Sequence, residues 1–399
     1  MEALVRTSVF IHDDSRPWSP FDEYSSFPLF LGARVCVTNS QGLFGRRYAE
    51  FLQTSGLWAQ TIISPEFRVP SPLSNLASDE RATQRVLREC ASAALTLSFF
   101  YDDHHQSPTL VGRLREENPL QRVSPNGVRY ATPEARSCWR ERLRIAGVNT
   151  LEGGICLQRS DVESLVQQFR GAVVLKRVGT PPIVVEPTEV ERIPETSFPA
   201  YAERHVVTRC SPNVQFFVRD DSVAVPLGVN EQILRGLAHV GNHSPDSLTP
   251  NEIERLLDQA ARAIDCMKIE GPIVGFDFVV SLSGDVFLVD INERFNSSTY
   301  PQHFLWRHGL DSQTRQFWMM ATQAQVTSLS EVFYSESFPR FSFETRTGVL
   351  LAAPTASFSA DGMLGFFLLA VGESLADARR FGDRAETIVN QFCYSNGST

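Results

Sequence analysis

Residues 273–301, IVGFDFVVSLSGDVFLVDINERFNSSTYP, constrain this chain more than any other segment. IVGFDFVVS and VFLVDIN are rich in β-branched and aromatic residues and read as two strands. Leu282-Ser283-Gly284-Asp285 between them is a turn signal. With Ser283 and Gly284 at the tip, Leu282 faces Asp285, and counting back sets Asp277 directly opposite Asp290. A four-residue loop keeps the same register. Asn292 lies two residues past Asp290 and shares its face. Two carboxylates opposed across a strand pair repel each other. A hard cation between them removes the repulsion, and two carboxylates with an amide oxygen suit Mg²⁺ (or Mn²⁺). Arg294 follows as a fixed cation beside that site.

At 399 residues the chain is too long for one simple core and predicts two or three domains. A hydrophobic content of 42% with 21% charged residues is ordinary for a soluble globular protein. The net charge of −9 argues against a general nucleic-acid binder but leaves room for a nucleotide in a locally positive pocket. Seven dispersed cysteines without a CxxC pair read as reduced thiols, so a cytoplasmic protein is expected. The N-terminus lacks a basic start followed by a long apolar run, and the apolar runs are too short to span a bilayer.

Residues 33–38, ARVCVT, read as a buried parallel strand, residues 43–57 as a helix, and residues 95–100 as another strand ending in Tyr-Asp-Asp-His-His. This alternation predicts an α/β unit over 1–130. Gly42-x-x-Gly45 is not a full dinucleotide fingerprint. The polar Asp102-Asp103-His104-His105 run reads as a loop at a strand's carboxyl end. Beyond 131 the style changes. Thr132 caps a helix that starts at Pro133 and stops at Gly147. Ser160-x-x-Glu163 reads as a capping box, with Gly171 ending that helix. Residues 172–178, AVVLKRV, form a strand carrying Lys176. Further strands are expected at 205–208, 214–219 and 222–226. Thr249-Pro250-x-Glu252 opens a helix whose stripe of Ile253, Leu256, Leu257, Ala260, Ile264 and Met267 should pack under the hairpin. Two strands, at 348–353 and 363–371, and a helix at 376–392 make a small β-β-α closing unit.

Gly-Phe-Asp-Phe, a hairpin, then Asp-Ile-Asn-Glu-Arg-Phe resembles the metal-binding end of ATP-grasp ligases. The resemblance runs from about Thr132 to Pro301. It implies an α/β and α+β architecture: an N-terminal α/β domain (1–130), a small ATP-clasping lobe (131–205), a large lobe with the metal site (206–340) and a C-terminal unit (341–399). By resemblance Asp277, Asp290 and Asn292 hold Mg²⁺, and Arg294 contacts the transferring phosphoryl group or the substrate. Lys176 lies on the α- and β-phosphates of ATP; from its strand alone it reads as a residue snorkelling from an edge. Arg136, with Arg140 second, matches a basic helix position of the family. Residues 202–210, AERHVVTRC, resemble the hinge strand, which brings Glu203 and Thr208 to the nucleotide. SPNVQFFVRDDSVAVPLGVNEQIL resembles an antiparallel segment of a subgroup of peptide and amide ligases. In that subgroup Glu231 and Gln232 would face nucleotide or substrate; a plain turn before a helix is the alternative. The loop Lys176-Arg-Val-Gly-Thr-Pro-Pro departs from the family's glycine-rich phosphate loop.

The resemblance implies an ATP-dependent, ADP-forming ligation of a small carboxylate and an amine through an acyl phosphate, in specialised metabolism. Neither nucleic acid nor membrane is expected as a partner, and many family members are homodimers. A kinase-like phosphotransferase and a nucleotide-binding regulatory protein are the alternatives.

Overall fold

The computed structural model describes residues 9–11, 35–37, 44–64, 76, 78–91, 96–98, 122–123, 130–178, 180–219, 223–269, 271, 273–310, 314–326, 329–352 and 363–395. The Asp102–His105 run and the turns at 220–221 and 360–362 lie outside the described residues. The chain divides into two compact units, one made of Met1–Ser124, Gly241–Ser244 and Arg294–Thr399, the other of Pro125–Val240 and Pro245–Glu293.

The first unit opens with β1 (Val9–Ile11), β2 (Val35–Val37), α1 (Arg46–Thr54), β3 (Thr61–Ile63), α2 (Glu80–Ala91), β4 (Thr96–Ser98) and β5 (Arg122–Val123). The strands form a parallel sheet in the order β3-β2-β1-β4-β5, so the expected α/β unit is present. Parallel neighbours need crossovers; α1 lies in the one from β2 to β3, and α2 in the longer one from β3 to β4, which are not neighbours.

The second unit starts with α3 (Pro133–Ile145), capped by the Thr132 hydroxyl, which accepts from the Ala135 amide at 3.2 Å. It is followed by β6 (Gly153–Cys156), α4 (Arg159–Phe169), β7 (Val173–Lys176), β8 (Ile183–Val185) and β9 (Ala200–Arg204). These strands form an antiparallel sheet in the order β6-β9-β7-β8. A Cβ on Gly153 would lie 2.4 Å from the Ala202 carbonyl, so β6 can approach β9 only as glycine. The expected Ser160 cap is corrected: α4 starts earlier, and Asp161 accepts from the amides of Leu157 (2.8 Å) and Gln158 (3.1 Å). Its left-handed stop is Arg170 rather than Gly171. The strand expected at 205–208 is also corrected, since β9 ends at Arg204 and β10 (Thr208–Cys210) begins after three intervening residues.

β11 (Pro212–Val218), β12 (Ala224–Arg235), β13 (Ala238–His243), α5 (Pro250–Met267), β14 (Ile273–Ser281) and β15 (Val286–Asn292) follow. β11 lies antiparallel between β12 and β14, and β15 borders β14 on its other edge. α5 carries the expected Thr249–Glu252 capping box. Its buried Leu256, Ala260, Ile264 and Met267 pack with Phe276, Phe278 and Leu288 of the hairpin, as the apolar stripe required.

The first unit resumes with α6 (Thr299–Arg307), β16 (Gln316–Ala324), α7 (Leu329–Phe333), β17 (Gly348–Ala352), β18 (Leu364–Gly372) and α8 (Leu375–Ser395). The closing β-β-α elements are present, and β18 also pairs with β16, a strand the sequence reading missed. The Tyr48 hydroxyl of α1 donates to the Leu351 carbonyl of β17 at 2.8 Å, tying the two ends of the chain within this unit.

Candidate functional site

The β14–β15 pair sets Asp277 opposite Asp290, but by a different route from the one expected. The loop has three residues, Leu282-Ser283-Gly284, one more than the two expected at the tip: Ser281 donates its amide to the Asp285 carbonyl at 2.9 Å, and Gly284 takes a φ of +83°. From there Val280 opposes Val286 and Phe278 opposes Leu288. The register then shifts between Phe278 and Asp277, leaving Val289 as an extra residue. A β-bulge of this kind reverses which face the later residues take. It lets Val286, Leu288 and Ile291 all bury in the core with α5, while Asp290 and Asn292 turn to the other face. Strict alternation would have put Asp290 on the apolar side with Leu288.

The polar face continues across the sheet. Asn230, Asn213, Asp277 and Asp290 lie in one row over β12, β11, β14 and β15. Gly228, Gln215, Gly275 and Asn292 make the next. Carboxamides surround Asp277. Asn213 Nδ2 (2.5 Å) and Gln232 Nε2 (3.0 Å) donate to its Oδ1, and Asn292 Nδ2 donates to its Oδ2 at 2.9 Å. Gln215 in turn donates to the Asn213 carbonyl oxygen.

Asp290 has charged company instead. Arg136 of α3 donates to Asp290 Oδ1 at 3.1 Å and to the Ala131 carbonyl at 3.0 Å. One turn on, Arg140 binds Glu203, which also accepts from Lys176 Nζ at 2.5 Å. Lys176 Nζ and Arg140 Nη2 both donate to the Val289 carbonyl at 3.0 Å, so the bulge supplies an acceptor to the two cations. The Arg140 guanidinium stacks 4.0 Å over the Trp139 ring and 4.7 Å over Tyr201. Burial works against the Glu203 carboxylate, but Arg140 and then Lys176 outweigh it and hold its pKa below the ordinary value. Burial likewise opposes Asp290, and Arg136, then Lys176 and Arg140, hold it low. Burial pulls the Lys176 ammonium down, with Glu203 opposing.

Lys176, Tyr201 and Ile155 are cross-strand partners on one face of the β6–β9 sheet, as are Glu203, Val174 and Val184. The opposite face, with Cys156, Leu175, Val185 and Ala202, packs against α4. The face with Lys176 and Glu203 therefore carries both the charged pair and an aliphatic lining that sequence reasoning did not pick out.

Glu231 is buried and accepts from the Asp246 and Ser247 amides, both at 2.8 Å, and from the Ser247 hydroxyl at 2.7 Å. It lies inside β12 rather than at a helix start. Gln232 is the member of that pair that reaches Asp277. Thr208 is exposed, with its hydroxyl donating to the Val206 carbonyl at 3.0 Å. Arg294 is buried in the first unit, where Nη1 donates to the Phe295 carbonyl at 3.4 Å. Between Asn292 and Arg294, Glu293 anchors the end of β15 by accepting from Tyr130 Oη (2.8 Å) and the Gly271 amide (2.6 Å). Sequence reasoning missed Asn213 and the Val289 carbonyl. The spacing of Val286, Leu288 and Ile291, two apart and then three, is the signal of the bulge.

Among the described residues no group of three or more His, Cys, Asp and Glu side chains gathers as a metal site. The opposed pair Asp277 and Asp290 with Asn292 is an oxygen-only set of two carboxylates and a carboxamide. Such a set fits Mg²⁺ or Mn²⁺ and is a poor match for zinc, which favours nitrogen and sulfur.

No family model matches the sequence, and no curated protein does. Solved structures do match. N5-carboxyaminoimidazole synthetase from Staphylococcus aureus is 10% identical with a TM-score of 0.61, covering 95% of this chain and 97% of that one. The synthase from Aspergillus clavatus, solved with ADP and 5-aminoimidazole ribonucleotide, is 12% identical at a TM-score of 0.60, over 90% and 98% of the two chains. A biotin carboxylase from Campylobacter jejuni, complexed with β-γ-ATP, is 14% identical at 0.56, over 91% of each chain. At these identities the likeness establishes the fold, which is the ATP-grasp fold these enzymes share.

Proposed function

We propose that this ATP-grasp chain is an ATP-dependent, ADP-forming carboxylate–amine ligase. One observation carries the reading: Lys176, Arg136 and Arg140 converge from a strand and a helix on the hairpin that opposes Asp277 to Asp290. Lys176 and Arg136 would hold the phosphates of ATP. Asp277, Asp290 and Asn292 would hold Mg²⁺, which when bound screens the charge on the transferring phosphoryl group. Ile155, Val174 and Val184 would line the nucleobase side, and Glu203 would keep Lys176 ionised and aimed. Arg294 would orient the carboxylate that receives the γ-phosphoryl group, and an amine would then displace phosphate from the acyl phosphate. No side chain need form a covalent bond.

The neighbours' ADP, ATP and ribonucleotide complexes support a nucleotide-dependent ligase. The subgroup likeness of residues 211–234 points to an amino acid or small amino-acid-like acid as the carboxylate. The test is ADP release from Mg-ATP over pooled acids with and without amines. Dependence on both supports ligation; dependence on an acid or alcohol alone supports a kinase-like transfer.

A binding-only reading has one observation in its favour. Pro181 and Pro182 stand in the loop after Lys176 and offer no amide donors to a phosphate. Nucleotide binding without ADP release would support it.

A further inference from the structure

The carboxylate Asp277 is held asymmetrically. Both donors to its Oδ1 come from the β11–β12 side, Asn213 at 2.5 Å and Gln232 at 3.0 Å. Its Oδ2 faces β15, where it meets Asn292 at 2.9 Å. The Asn213 carboxamide is itself oriented, because Gln215 donates to its oxygen and leaves its Nδ2 for Asp277. Asn213 is almost wholly buried, whereas Gln232 is half-buried and has its own oxygen in contact with the Ser211 hydroxyl at 2.9 Å. None of these donors carries charge. They fix the orientation of Asp277 without competing electrostatically for the cation it would meet, as a lysine or arginine would.

We infer that Asn213 and Gln232 are positioning residues of the cation site: they pin Asp277 through Oδ1 and present Oδ2 toward Asp290 and Asn292. This rests on the proposed metal role of the three β14–β15 residues. Asn292 is the only one of the three Asp277 carboxamide contacts that sits on β15 beside the second carboxylate, and its oxygen and nitrogen exchange places by a half-turn of the side chain. It can therefore turn from a donor to Asp277 into an oxygen ligand, while Asn213 and Gln232 remain as they are. Partners that orient a metal ligand typically change metal affinity by about 10–100-fold when removed.

The test measures free Mn²⁺ by electron paramagnetic resonance in the presence of a non-hydrolysable ATP analogue, for the full chain and for Asn213→Ala and Gln232→Met. Nucleotide affinity without divalent cation and the melting temperature are measured alongside. Both variants should weaken Mn²⁺ binding by about 10–100-fold, far more than they weaken cation-free nucleotide binding. Gln232 is half-buried, so its variant tests the inference even if Asn213→Ala fails to fold. Wild-type affinity for Mn²⁺ in a folded variant would overturn the positioning role. So would equal loss of Mn²⁺ and cation-free nucleotide binding, which marks a purely structural effect. A wild-type chain that binds the nucleotide but no Mn²⁺ would instead overturn the metal site itself.

Discussion

Asp277 and Asp290 face each other across one rung of the β14–β15 ladder, yet the protein treats them differently. Asp290 belongs to a charged region with Arg136, Arg140, Lys176 and Glu203, where each carboxylate is met by a cation at close range. Asp277 belongs to a carboxamide region, where neutral donors supply hydrogen bonds and no charge. Removing one member of a buried ion pair strands its partner, whereas removing one of several neutral donors leaves an acceptor with others. The charged region should therefore fail in stability and function together, and the carboxamide region in function alone.

The largest effect expected is at Glu203, which is 2% exposed and shared by two cations. Glu203→Ala should destabilise the chain by about 3–5 kcal/mol, read from urea unfolding. The sign with pH follows from its lowered pKa. As pH falls, the unfolded chain takes up this proton first, so the contribution is present above the ordinary value of 4.5 and is lost as pH drops through the folded value. In Glu203→Gln that acid-side loss should be absent; an unchanged acid limb would remove Glu203 from the charged region.

Next come the proposed ligands. Asp290→Asn and Asn292→Ala should each lower ADP formation by about 10²–10³-fold, with the melting temperature lowered in Asp290→Asn and kept in Asn292→Ala. Normal turnover in both would end the metal assignment.

The bulge allows a finer separation. Deleting Val289 gives a regular ladder in which Asp277 still opposes Asp290 and Ile291 still faces α5. It removes only the carbonyl that Lys176 and Arg140 share. Nucleotide affinity should fall by at least about tenfold, since two hydrogen bonds from charged groups are lost, with Mn²⁺ binding to the nucleotide complex kept. Val289→Ala, which retains the carbonyl, should bind nucleotide normally. Loss of Mn²⁺ binding on deletion would mean that the bulge orients the carboxylates too. Smallest of all is Thr208→Ala, at an exposed site outside both regions; its nucleotide affinity should change by less than about twofold.

These regions differ in how far the sequence revealed them. The hairpin strands and the stripe of α5 were legible, because alternation and helical period are local, whereas the opposition of Asp277 to Asp290 was reached only because a different turn and a bulge offset each other by one residue. The turn was not legible: with three residues it is one longer than Ser283-Gly284 suggested, and the bulge at Val289 restores the count. Both follow from burying Val286, Leu288 and Ile291 together, a demand set by α5 rather than by neighbours in sequence. Arg136 and Arg140 were readable as one helix face, but their separate partners were not, since Asp290 and Glu203 lie 154 and 63 residues away. Asn213 carried no local signal at all. Its place beside Asp277 depends on the pairing of β11 with β14, two strands that sequence alone does not align. β16 was missed because its partners, like those of Asn213, are set by tertiary pairing.

The most direct test of the account is ADP release by the purified chain with Mg-ATP, across pooled amino acids and small carboxylates, each with and without a pool of amines. The account predicts release that requires an acid and an amine together. ADP release independent of the amine, or none at all while ATP still raises the melting temperature, would contradict a ligase and leave a phosphotransferase or a nucleotide-binding protein in its place.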